Sequence, residues 1–170
     1  MFDKIKQFSI LSVLSMLLHG SAGKTREQIL QVIADSKNLD VKHGFKEMIK
    51  ALKRKDNITL STSNGLFINE KYKVLESFKE TLKYSFEGEV HSVSRSNGYP
   101  LINDWASEKT GGKITDLFPT ETMQEQVNFI LINAFYFKAD WAKKVAILNV
   151  VVNSMMSVSI AIFAFFHKMN

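Results

Sequence analysis

The chain has 170 residues and a mass of 19.4 kDa, with 45% hydrophobic and 23% charged residues. This is an ordinary composition for one globular domain able to bury roughly 70% of its unfolded surface. With 2 Pro, 8 Gly and no Cys, it excludes a collagen-like or Pro-rich chain, a disulfide framework, a thiolate zinc site and a cysteine nucleophile. The formal charge of +5 permits contact with a polyanion without requiring it.

The first 23 residues support two readings. Lys4 and Lys6, the apolar run Phe8 to Leu18 and the small residues Ser21-Ala22-Gly23 have the layout of a secretory signal. Ile10, Val13, Leu14, Leu17 and Leu18 also recur at helical spacing, which predicts a buried helix interrupted by Ser9, Ser12 and Ser15. Thr25 to Gln28 has the form of a capping box, and Ile29, Leu30, Ile33 and Ala34 give the helix after it an apolar face. A further helix is predicted over about Val41 to Arg54, burying Phe45, Met48, Ile49 and Leu52. Lys42, Lys46, Lys50 and Lys53 fall within roughly 80° of one another around it and form a basic stripe extended by Arg54, a candidate polyanion site. Asn57-Ile58-Thr59 matches the N-glycosylation pattern.

Asn57 to Asn69 reads as a strand, Lys73 to Phe86 as a helix with Val74, Leu75, Phe78 and Leu82 on one side, and Gly88 to Ser94 as a short strand. Asn97-Gly98 reads as a turn. Pro100 suits the start of a helix carrying Leu101, Ile102 and Trp105, and Gly111-Gly112 ends it. Asn128 to Phe137 is apolar on both faces, as expected of a central strand layered by helices. Helices cluster early and the strands are separated by long connections, so the expected class is α+β.

The 22 residues Val145 to Phe166 carry no charge. That length would span a bilayer, although Asn149, Asn153 and several serines interrupt it; the alternative is a β-prone tail.

Enzyme signatures are lacking. Gly20 to Thr25 resembles the end of a phosphate-binding loop, but Leu18 stands where its first glycine belongs. His19, His43, His91 and His167 lie in separate segments without metal-ligand spacing. No catalytic residue, metal or cofactor is assigned, and nothing points to nucleic acid.

Two motifs add a family. Ile102 to Ile114, INDWASEKTGGKI, and Leu131 to Trp141, LINAFYFKADW, resemble two serpin motifs in the family's order and spacing. Ser9 to Thr25 and Ile58 to Phe67 resemble the serpin segments that precede them. The resemblance covers about Phe8 to Lys144, less than half of a complete serpin. It implies a partial serpin fold, helices packed on part of the large sheet A, over residues 1–144, followed by an unrelated hydrophobic tail, 145–170. It also implies that Ser9 and Asn133 belong to a buried polar cluster under the sheet, that Trp105 and Trp141 are core positions, and that the lysine stripe lies where some serpins bind glycosaminoglycans. By family the partner is a serine or cysteine protease and the setting extracellular, with intracellular or membrane-associated placement as alternatives. A serpin traps its protease with a loop near the C-terminus that inserts into sheet A. That loop and most of sheets B and C lie beyond the resemblance, so no reactive centre is assigned and the chain is expected to be non-inhibitory by itself. The alternatives are a polyanion-binding or tail-anchored module, or a truncated splice or gene-model product. If Phe129 to Phe137 loses its neighbouring strand, the exposed edge is expected to aggregate, to need chaperones or to pair with the tail.

Overall fold

A computed structural model describes residues 2–33, 58–119, 123, 127–147 and 150–166. Helix α1 spans Phe2–Gly20 and α2 Gly23–Ile33. Strand β1 (Ile58–Asn69) is followed by helix α3 (Glu76–Phe86) and strand β2 (Gly88–Val93), which lies parallel to β1. Parallel neighbours need a crossover, and α3 supplies it. Helix α4 (Gly98–Lys109) precedes β3 (Val127–Ile147) and β4 (Val150–Phe166). The sheet order is β2-β1-β3-β4, with β3 antiparallel to both neighbours.

Both faces of the sheet are covered, which explains the apolar run in β3. Leu131, Phe135 and Phe137 face the helices α1, α2 and α3, where Val13, Met16, Ile29, Leu82 and Phe86 complete one core. The alternate residues Ile130, Ile132 and Ala134 pack with Phe67, Ile102, Trp105 and Ala106 on the α4 side. The period-2 alternation of a strand thus feeds two cores at once. Gly111 and Gly112 have φ of +60° and +72° and stop α4, as their sequence implied.

Several expectations need correction. In α1, Ile10 is 54% exposed and Leu11 also faces outward, whereas Ser9, Ser12 and Ser15 are buried. Val13, Leu17 and Leu18 are buried as their spacing implied, and of the buried serines Ser12 is the one bonded to the sheet, at Asn64. Helix α2 starts at Gly23, so Thr25 lies inside it and does not cap it, and Leu30 faces outward. Lys73 to Leu75 precede α3: Leu75 is extended, with ψ of 135°, and is 75% exposed. Helix α4 begins before Pro100, at Gly98, and Leu101 is exposed.

The described part of the uncharged run is β-strand, divided between two strands. Residues 145–147 finish β3, and β4 pairs with it from Phe166 back to Val150. Among the described residues no helix is long and apolar enough to cross a membrane. The edge of β3 is therefore occupied by the tail. The predicted helix over 41–54, with Lys42, Lys46, Lys50, Lys53 and Arg54, lies outside the described residues, as does Asn57.

Candidate functional site

The buried polar cluster forms where α1 lies over β3 and its Ser12 reaches Asn64 on β1. Asn133 on β3 stands directly opposite Asn64 on β1 in the antiparallel register. Its Nδ2 donates to Asn64 Oδ1 at 2.9 Å and to Thr62 Oγ1 at 3.1 Å. The same Asn64 Oδ1 accepts a bond from Ser12 Oγ of α1 at 3.0 Å, and Asn64 Nδ2 donates to the Phe86 carbonyl at the end of α3 at 2.6 Å. One side chain, Asn64, thereby ties two helices and two strands together. Every member is buried, so each bond forms in a low-dielectric setting and loss of one partner is costly to the others.

Ser9 and Asn133 are both in this region, Ser9 at 1% exposure and Asn133 at 0%. No bond joins them. Ser9 Oγ, Ser15 Oγ and Asn133 Oδ1 are buried without a hydrogen-bond partner among the described residues. The helix serine that engages the cluster is Ser12. Sequence reasoning passed over Ser12, Thr62 and Asn64. Asn133, an amide inside an apolar run, announced its need for hydrogen bonds, whereas Asn64 follows Ser61, Thr62 and Ser63 and precedes Gly65, so its neighbours gave no such signal.

A second polar group sits at the far edge of the sheet. Trp105 on α4 donates its Nε1 proton to Glu89 Oε2 on β2 at 2.9 Å. Lys109 Nζ is 2.8 Å from Glu89 Oε1, and His91 Nε2 is 3.2 Å from Oε2. Partial burial works to raise the Glu89 pKa, but the bonds from Lys109, Trp105 and His91 outweigh it and hold the carboxyl below its ordinary value. The bond to Glu89 in turn raises the Lys109 pKa. Phe67 closes the arrangement, stacked on His91 at 4.8 Å and edge-on to Trp105 at 5.6 Å. The approach of Trp105 to β1 depends on Gly65, where a Cβ would come 2.8 Å from Phe67 and 3.1 Å from Trp105. Trp105 is thus a core position with a polar handle, whereas the Trp141 side chain lies outside the described residues. Among the described residues no three His, Asp or Glu side chains form a group able to hold a metal ion.

A family model described as "Serpin (serine protease inhibitor)" matches residues 7–148. Serpin B6 of Bos taurus is 34% identical over 146 residues, covering 81% of this chain and 39% of that protein. Leukocyte elastase inhibitor of Xenopus laevis is 31% identical over 142 residues, covering 80% of this chain and 38% of the relative. The solved ovalbumin of emu (Dromaius novaehollandiae) superposes with a TM-score of 0.70 at 25% identity, over 88% of this chain and 46% of that one. The chain belongs to the serpin family. It spans about two fifths of the length of the curated relatives it matches, and its fold is the corresponding portion of the serpin fold.

Proposed function

We propose that this chain is the sheet-and-helix scaffold of a serpin-type protease inhibitor and that its 170 residues, taken alone, do not trap a protease. The observation that carries the reading is the match over residues 7–148 to a family described as serine protease inhibitors, at about 39% of a relative's length. Trapping requires a bait segment and a free flank of the sheet to receive it. In this chain the matched residues supply β1, β2, β3 and the buried polar cluster, and β4, beyond the match, occupies the flank of β3 opposite β1. The Asn64–Asn133 pair serves this scaffold by holding β1 and β3 together beneath α1. Within this reading Ser9 and Asn133 are residues of the buried polar cluster under the sheet, with Ser12 as the hydroxyl in contact.

Incubating the 170-residue protein with trypsin-, chymotrypsin- and elastase-like proteases tests the second half of the proposal. Ordinary fragmentation without an SDS-stable complex is expected, and a covalent band overturns it. A chimera tests the first half. Residues 7–148 replace the matched portion of the Xenopus laevis leukocyte elastase inhibitor, and the folded chimera is mixed with elastase. A stable complex supports the scaffold role; a folded chimera that is only a substrate argues against it.

A further inference from the structure

The two outer strands of the sheet are protected very differently. Strand β2 has six residues, and its Glu89 is bonded to His91 beside it and to Trp105 and Lys109 of α4. Strand β4 has 17 residues, and Val150 to Phe166 contains no Asp, Glu, Lys, Arg or Pro. Its pairing with β3 runs unbroken from Phe165 to Ser154. No described strand lies on its other side. By the alternation of an antiparallel ladder, roughly eight of its residues direct both N–H and C=O away from β3. Charges, prolines and short length are the usual means of keeping such an edge from pairing, and β4 has none of them.

We propose that β4 is a self-association surface: it pairs antiparallel with β4 of a second copy of this chain, giving a two-fold dimer with one continuous sheet. The absence of charge favours this occupant, because a two-fold axis sets each residue against its own kind and any Lys or Glu near the centre would face a like charge. Full overlap of Val150–Phe166 with its copy puts the axis at Val158. Pairing β4 with the β2 edge of another copy would engage only six residues and would leave open ends that propagate. The isologous dimer satisfies the longer edge and closes.

The test uses the whole 170-residue protein. Sedimentation velocity over a range of concentrations should show a species of twice 19.4 kDa. The chain has no cysteine, so Val158→Cys, Ser154→Cys, Ile162→Cys and, on β2, Ser92→Cys each accept one nitroxide label. The shortest distance between labels is expected at position 158. The partners at 154 and at 162 should lie roughly 27 Å apart along the strands, and the labels at 92 farther still. Val158→Lys should weaken the dimer at least tenfold while leaving the circular dichroism spectrum unchanged. A wild type that stays monomeric, a dimer with its shortest distance at position 92, or a folded Val158→Lys that dimerises as well as wild type overturns the proposal.

Discussion

Asn64 of β1 and Asn133 of β3 are opposite partners in the sheet, joined by an Nδ2–H···Oδ1 bond of 2.9 Å. Their roles are unequal. Asn64 also accepts from Ser12 and donates to the Phe86 carbonyl, whereas among the described residues Asn133 reaches only Thr62 besides. Removing Asn64 therefore takes an acceptor from two buried donors at once. Asn64→Ala should cost about 2–4 kcal/mol and Asn133→Ala about 1–3 kcal/mol, because buried groups that lose their partners keep their desolvation penalty. Urea unfolding of both variants checks the order. Equal losses would show that Asn64 is not the hub of the cluster.

The three helix serines should separate by sign. Ser12→Ala removes a bond to Asn64 and should destabilise by about 1 kcal/mol. Ser9 and Ser15 are buried, and their hydroxyls have no partner among the described residues, so Ser9→Ala and Ser15→Ala should be neutral or stabilising by up to about 1 kcal/mol. Thermal melts of the three variants make the comparison. A Ser9→Ala loss as large as that of Ser12→Ala would place Ser9 in the bonded network.

The same residues show how far sequence reasoning reached. The nearly continuous apolar run around Asn133 announced a central strand covered on both sides, and β3 is one, with its alternate residues feeding two cores. The facing of α1 was legible for Val13, Leu17 and Leu18 but not for Ile10 or the serines. Hydrophobicity alone turns Ile10 inward and the serines outward; the burial of Ser12 answers to Asn64, on a sheet some 50 residues later. Local pattern carries no information about that encounter. The uncharged tail was ambiguous for a related reason. Length and apolarity suit a membrane helix and a strand equally, and the unpaired flank of β3 resolved the choice. The Glu89 cluster left no motif, since it joins β2 to α4 through side chains far apart in sequence.

The Glu89 cluster predicts a pH dependence at both extremes. The folded Glu89 carboxyl titrates below the ordinary 4.5, so its stabilising contribution is present above that value and is lost as pH falls through the folded pKa. Lys109 titrates above 10.5 when folded, so its share is present below 10.5 and is lost as pH rises through the higher folded value. Glu89→Gln should flatten the acid limb and weaken the alkaline one, since it removes the partner that raises Lys109. Chemical denaturation from acid to alkaline pH checks both limbs. An unchanged acid slope in Glu89→Gln would assign that limb to other carboxylates.

Gly65 gives the sharpest packing test. It lies on β1 beneath Trp105, and a methyl group there would sit 2.8 Å from Phe67 Cε2 and 3.1 Å from Trp105 Cζ2. Phe67 is fully buried between His91 and Trp105 and has nowhere to retreat. Gly65→Ala must therefore push Trp105 outward, lengthening or breaking its bond to Glu89. The expected cost is about 1–3 kcal/mol, typical of an overpacked core. Trp105 should also become more exposed, giving a red-shifted emission in a variant whose second tryptophan, Trp141, is replaced by Phe. Gly111→Ala serves as the contrast. Its Cβ would meet nothing within 4 Å, but its φ of +60° strains any substituent, so it should lose about 1 kcal/mol with no change in emission. If Gly65→Ala kept both the stability and the emission of its parent, Trp105 would not be pressed against β1, and the route by which α4 reaches Glu89 would need another account.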